Sequence, residues 1–234
     1  MEFSKLSAPT LKELFVKELE SMILSGKLPV DTQLPPEREL AENMQVSRAV
    51  VNAGIVELAR KGFLVIRPRV GTFVADYRKN GTIETFMAIT SYNGGMLRRE
   101  EIKSILELRL SLDTLAIQLC SKRITDDELA QLRDITEKMK EAKTYDEAVA
   151  QAFSFQHHLA FFSENTFLPV IFSSFKSLTR TLWLRFCELY GIAALYKNTD
   201  ELCTMLEKRD FEGALECLKS SLENSISGNK QIYY

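Results

Sequence analysis

The sequence predicts a mainly α-helical fold in two parts: an N-terminal group of short helices ending in a small β-hairpin, and a C-terminal all-α antiparallel helical bundle. Three observations carry this. Apolar residues recur at three- and four-residue intervals over much of the chain, the period of an amphipathic helix. Between Lys27 and Tyr77 short periodic runs alternate with Pro and Gly punctuation. Within that stretch two short β-prone runs, FLVIRP and GTFVAD, follow one another around Pro68 and Gly71. With 234 residues, 45% hydrophobic and 26% charged, the chain has ordinary globular composition and the length of one large domain or two small ones.

The elements follow in order. Thr10 to Ser25 places Leu11, Leu14, Phe15, Leu19, Met22 and Ile23 on one helical face, and Gly26 ends the helix. Pro36 suits the entry to a short helix over ERELAENM. Ser47 is a good N-cap for RAVVNAGIVELARK, which Gly62 closes. Gly54 in the middle of that helix costs roughly 1 kcal/mol against alanine, so it marks close helix packing. The turn residues of RKNGTIETFMAITSYNGGML, with Gly94 and Gly95, mark a linker. The expected organisation is residues 1–78, a linker over 79–97, and a helical domain over 98–234.

In the second part, Ile102, Ile105, Leu106, Leu108, Leu112, Leu115 and Leu119 give the first bundle helix a broad apolar face. Thr125 and Glu128 form a capping box for a second helix reaching about Lys143. Asp146 is a candidate cap for a third. Phe167 to Tyr190, with Pro169 in the first turn, reads as a fourth, and Thr199 and Asp210 as caps for the last two. Short connections between helices of this length imply antiparallel neighbours.

Several function classes lose support. No apolar run approaches the roughly 18 to 20 residues that span a bilayer, and the N-terminal residues are too charged for a secretory signal, so the expectation is a soluble, cytoplasmic protein. Cys120, Cys187, Cys203 and Cys217 never form a Cys-x-x-Cys pair, which points to buried thiols. The two histidines, His157 and His158, are adjacent, and adjacent helical side chains point roughly 100° apart, so they do not face one ligand together. No nucleophile–histidine–acid arrangement and no phosphate-cradling glycine loop stands in the sequence, so no enzymatic activity is expected.

The net charge of −2 hides a basic stripe. From Val46 to Thr72 the chain carries Arg48, Arg60, Lys61, Arg67 and Arg69 against the single acid Glu57, the footprint of phosphate contact. In a helix-turn-helix the second helix enters the major groove by its N-terminal end, which would present Ser47, Arg48, Ala49 and Asn52 while Val50, Val51, Ile55 and Leu58 face inward. Arg48 suits guanine or a phosphate, and Asn52 suits adenine. Arg38 is placed to grip backbone phosphate or, alternatively, to pair with Glu42 at i, i+4. Arg67 and Arg69 form a hairpin tip that either reaches DNA or blunts an exposed edge.

LPPERELAENMQVSRAVV followed by GFLVIRPRVGTFV resembles the winged helix-turn-helix of the GntR family of bacterial transcription regulators, over Leu11 to Val74. The resemblance implies DNA contacts at Arg38, Ser47, Arg48, Arg67 and Gly71, a β-hairpin wing, and a homodimer on a roughly two-fold double-stranded DNA operator. One departure is AVVNAGI, which puts Asn52 where the family commonly has a DNA-contacting arginine.

Behind it, ILELRLSLD, FQHHLAFFSEN and LEKRDFEGALECL resemble the FadR branch, whose C-terminal bundle binds a small effector and contributes to dimerisation. Many members hold a divalent metal by one Asp and three His. Here the pattern falls on Ala152 and Gln156, with the later positions near Thr199 and Ser220 or Ser221, so no metal and no other cofactor is expected. A carboxylate effector would then need another cation. Arg109, Arg180 or Arg185 are candidates, with Gln156 and Trp183 as pocket lining, although Arg109 could equally pair with Asp113 at i+4. An acyl-CoA is the alternative effector, since the phenylalanines around Phe153 to Phe175 would suit an acyl chain as well as a core. The expected function is a ligand-responsive, sequence-specific transcriptional regulator, a repressor.

Overall fold

A computed structural model describes residues 8–92 and 97–233; the Gly94–Gly95 pair of the expected linker lies outside them. The chain divides into two compact units, residues 1–96 and 97–234.

In the first unit, α1 (Leu11–Leu24) starts from a Thr10 capping box, in which Thr10 Oγ1 accepts from Glu13 N–H and the Glu13 carboxylate accepts from Thr10 N–H. It buries Phe15, Val16, Leu19 and Ile23, while Leu11 and Leu14, expected on the same face, stand exposed. The reason is that the stripe packed on α3 (Arg48–Arg60) runs through Phe15, and Leu11 and Leu14 lie on the other side of it. Gly54 explains the closeness: a Cβ there would come within 2.3 Å of the Phe15 ring. Helix α2 (Glu37–Asn43) buries Leu40 and Ala41 on the same core. Strands β1 (Leu64–Arg67) and β2 (Gly71–Val74) pair antiparallel, Leu64 with Val74 through to Arg67 with Gly71. Part of the stretch expected as linker is helix: α4 (Tyr77–Asn80) and α5 (Ile83–Ser91). Thr82 caps α5, and Thr85, buried, donates to the Lys61 carbonyl, which is why residues rich in turn formers still order here.

The second unit is a helical bundle of α6 (Arg99–Cys120), α7 (Asp126–Glu141), α8 (Tyr145–Phe162), α9 (Leu168–Ser174), α10 (Lys176–Glu207) and α11 (Phe211–Ile226). Helix α8 packs on α6, α7, α9 and α10, and α11 on α6 and α10. Capping differs from expectation at two places. Thr144, not Asp146, caps α8, because Thr144 Oγ1 accepts from Glu147 N–H and Glu147 returns the bond. Thr199 lies inside α10, where its hydroxyl donates to the Leu195 carbonyl; the break that splits α10 comes earlier, at Gly191, with φ 79 and ψ 165. Asp210 does cap α11, accepting from Gly213 N–H at 2.9 Å.

The buried face of α6 is Ile102, Ile105, Leu106, Asp113, Ala116, Ile117 and Cys120. Leu108 and Leu115, expected inside, are exposed, and Leu112 and Leu119 only half-buried. The buried face thus includes a carboxylate, Asp113, which apolar periodicity places outside.

Candidate nucleic-acid interface and buried cavity

In the first unit, Ser47 Oγ accepts from Val50 N–H at 3.3 Å and opens α3. The far side of that helix is locked by Val51, Ile55 and Leu58, all at most 2% exposed, so its orientation is fixed by packing. Arg48, Ala49 and Asn52 are exposed together at the N-terminal end. Asn52 Nδ2 donates to Glu37 Oε1 at 3.1 Å, a partner that spacing along one helix does not reveal, since fifteen residues separate them. Arg38 pairs with Glu42 at 2.9 Å, with the two side chains 73% and 64% exposed. A pair that open contributes about 0.3–0.5 kcal/mol, so a phosphate could replace Glu42 at little cost.

The basic stripe divides. Arg60 pairs with Glu84, and Lys61 sits between Glu20 and Glu57 at 2.9 and 3.4 Å, so both serve the unit's own cohesion. Hydrogen bonds from Lys12 and Lys61 hold the Glu57 carboxyl below its ordinary range against the cost of burial. Among the described residues, Arg48 and Arg69 make no ion pair, and Arg67 lies over the Phe73 ring at 4.4 Å, a contact that stiffens the hairpin while leaving the charge exposed.

Arg69 sits at the hairpin tip with φ 64. Gly71 is required by its φ of 139, which L side chains rarely adopt; a Cβ there would also displace Gln33 Nε2, which donates to the Val70 carbonyl at 3.0 Å. Gln33 thereby ties the hairpin to the loop before α2, a role the sequence reading does not assign.

In the second unit, a cavity of ≈ 80 Å³ lies among α6, α8, α10 and α11. Arg109, Gln156 and Trp183 line it, whereas Arg180 is outside: two residues off the inward row of Leu182, Trp183 and Phe186, it is exposed and bonded to Asp146. Asp113 organises the polar wall. Its Oδ2 accepts from Arg109 Nε at 3.2 Å and from Gln156 Nε2 at 2.7 Å, and the Arg109 guanidinium lies over the Trp183 ring at 4.5 Å. Burial pushes the Asp113 carboxyl up to about 6 despite the neighbouring guanidinium, and burial likewise lowers Arg109. Gln156 Oε1 is buried with no hydrogen-bond partner. Turning the amide over would set that oxygen against the Asp113 carboxylate, so the acceptor is available to a donor from the cavity.

The metal pattern of the resembled branch does not fit. Its positions hold Ala152, Gln156, Thr199 and Ser221, which offer neither imidazole nor carboxylate, and the one carboxylate of the wall, Asp113, already accepts from Arg109 and Gln156. The two histidines are each satisfied locally: His157 Nε2 with Ser173 Oγ at 2.9 Å, His158 Nδ1 with the Ser154 carbonyl at 2.8 Å. Burial beside His158 lowers the His157 imidazole, favouring its neutral form. No helix among the described residues is long and apolar enough to cross a membrane.

Residues 11–74 match the model of the bacterial regulatory proteins of the gntR family, and residues 104–224 match that of the FCD domain. The HTH-type transcriptional regulator LutR of Bacillus subtilis (strain 168) is 24% identical over 218 residues, 88% of this chain and 97% of that protein. The fatty acid metabolism regulator protein of Shewanella halifaxensis (strain HAW-EB4) is 27% identical over 162 residues, 69% of this chain and 66% of that protein. Among solved structures, one described as Lar, which controls expression of the Listeria monocytogenes agr system, shares the fold with a TM-score of 0.61 at 17% identity, covering 94% of this chain and 96% of that one.

Proposed function

The chain belongs to the gntR family of bacterial regulatory proteins, with an FCD domain C-terminal to its DNA-binding domain, and on that footing we propose that this transcriptional regulator is a cytoplasmic repressor whose DNA affinity is set by a small carboxylate effector. The DNA-binding part is assigned to residues 1–78 and the effector-binding, dimerising part to residues 98–234. It acts as a homodimer on a two-fold operator. The observation that carries the DNA half is the exposed edge of Arg48, Ala49 and Asn52 on a helix whose opposite side is buried. Arg48 reads a base edge, Asn52 reads adenine once it exchanges Glu37, Ser47 and Arg38 hold phosphates, and Arg67, Arg69 and Gly71 bring the wing alongside.

For the effector, the Arg109 guanidinium beside Trp183 supports a small carboxylate, while the unpartnered Gln156 Oε1 suits a hydroxyl or amine donor on the same molecule. A guanidinium already oriented by Asp113 and Trp183 needs little reordering to receive a carboxylate. The volume of ≈ 80 Å³, against the roughly 150 Å³ of a cavity that holds benzene, favours a short carboxylate over an acyl-CoA. Selecting bound fragments from random DNA should return one palindromic motif, and the motif should lose protein when a short carboxylate is added. Thermal-shift screening of short carboxylates against acyl-CoAs, with and without chelator, checks the effector: stabilisation by a carboxylate, indifferent to chelator, is expected. Stabilisation by an acyl-CoA alone would reverse the assignment.

A further inference from the structure

The cavity of the second unit has one wall that is not helical. After α11 ends at Ile226, residues 227–230 turn and residues 231–233 run without regular structure. Ile232 nevertheless is 2% exposed and lines the cavity beside Trp183 and Phe186. The segment is held by contacts on both sides of that side chain. Tyr190 Oη donates to the Gln231 carbonyl at 2.7 Å, and Arg185 Nη2 reaches the Tyr233 carbonyl at 3.4 Å. The Arg99 guanidinium lies over the Tyr233 ring at 4.7 Å, and Lys230 Nζ lies 6.0 Å from the Phe186 ring.

The placement of these holds is informative. Tyr190 and Arg185 lie on α10 just before Gly191, whose φ of 79 and ψ of 165 interrupt the helix. That break divides the cavity wall of α10: Trp183 and Phe186 stand before it, Leu195 and Asn198 after it. The same few residues therefore fix the irregular segment and border a point where the wall can flex without breaking a continuous helical ladder. An irregular segment held by a few hydrogen bonds and ring contacts opens locally far more readily than a packed bundle helix.

We infer that residues 230–233 form a strap that gates the cavity, with Ile232 as its stopper and Tyr190 as its latch: a ligand reaches the Arg109–Asp113–Gln156 wall when the strap unlatches and is enclosed when it reseats. The inference rests on the effector reading only for what passes the gate. Access itself can be measured without any effector, because Trp183 is the single tryptophan of the chain and faces the same cavity.

The test is quenching of Trp183 fluorescence by acrylamide in the full chain. The wild type should quench weakly. Ile232→Asp cannot keep its carboxylate in the apolar wall, so the strap lifts and the quenching constant should rise roughly tenfold. Tyr190→Phe removes one hydrogen bond and should raise the open fraction roughly fivefold, while Gln231→Ala, which keeps the accepting carbonyl, should match the wild type. Unchanged quenching in an Ile232→Asp protein with wild-type helical circular dichroism overturns the gate. If that variant loses its helical signal, Tyr190→Phe decides alone, and wild-type quenching there overturns it equally. A missing effector would show instead as no carboxylate-induced thermal shift, leaving the quenching result intact.

Discussion

The arginines proposed to bind ligand in the two units are held in opposite ways. In the first, Arg38, Arg48, Arg67 and Arg69 are exposed, and among the described residues their one carboxylate contact is the open pair with Glu42. In the second, Arg109 is 17% exposed, bonded to an Asp113 that is 3% exposed, and laid against Trp183. Exposed cations on flexible stems lose little by exchanging water or Glu42 for phosphate, so they suit a long polyanion met in many registers. A buried cation is costly to hold and fixed in place, so it suits one small ligand whose position must be the same each time. On the proposed function, DNA would meet a surface in one unit and the effector a cavity in the other.

This contrast can be broken first at its most expensive point. Asp113→Ala leaves the Arg109 guanidinium buried without its carboxylate and should destabilise the second unit by about 3–5 kcal/mol in urea unfolding. A loss under 1 kcal/mol would mean that Arg109 reaches water and that the cavity is not built around the pair. Gly191→Ala comes next. Nothing within 4 Å would obstruct the new methyl, so the expected loss of about 1–3 kcal/mol is backbone strain alone at φ 79 and ψ 165.

Titration sharpens the comparison further. Because the Asp113 carboxyl is raised to about 6 in the fold, the folded chain keeps a proton there that the unfolded chain has released. Its contribution to stability is therefore greatest below about pH 4 and declines as pH rises to about 6. Glu13 and Glu57 in the first unit run the other way: hydrogen bonds to Thr10 and to Lys12 lower them, so their contribution is present above the ordinary carboxylate range and lost in acid. The wild type's stability advantage over Asp113→Asn should be larger at about pH 4.5 than at about pH 7. An advantage that shrinks on acidification would show that pairing, and not burial, governs Asp113. The smallest effect belongs to the surface: Arg38→Ala should shift stability by no more than about 0.5 kcal/mol while weakening DNA binding for all sequences alike.

Legibility in the sequence follows the range of the interactions. The Ser47 cap, the inward row of Val51, Ile55 and Leu58, the hairpin and the Gly54 contact are set within a few residues or by simple packing, and could be read directly. So could the Arg109–Asp113 and Arg38–Glu42 pairs, as i, i+4 alternatives. What could not be read depends on distant partners. Asp113 lies inside with a hydrogen bond from Gln156, 43 residues away, while Leu108 and Leu115 stand outside the buried face of α6. Asn52 is held by Glu37 and the hairpin by Gln33, neither signalled by periodicity. Arg180, a candidate cation on the fourth expected helix, stands outside because Leu182 and Trp183 define the inward row. The Ile232 stopper lies in a segment with no pattern to read.

On the proposed function the N-terminal end of α3 reads duplex DNA. The most direct test of that reading is binding of the wild type and Arg48→Ala to the selected operator and to a scrambled duplex over a series of salt concentrations. The wild type should prefer the operator, with affinity falling steeply as salt rises; Arg48→Ala should lose about 10- to 100-fold on the operator and little on the scrambled duplex. An Arg48→Ala protein that keeps full operator affinity and the same preference would contradict the account.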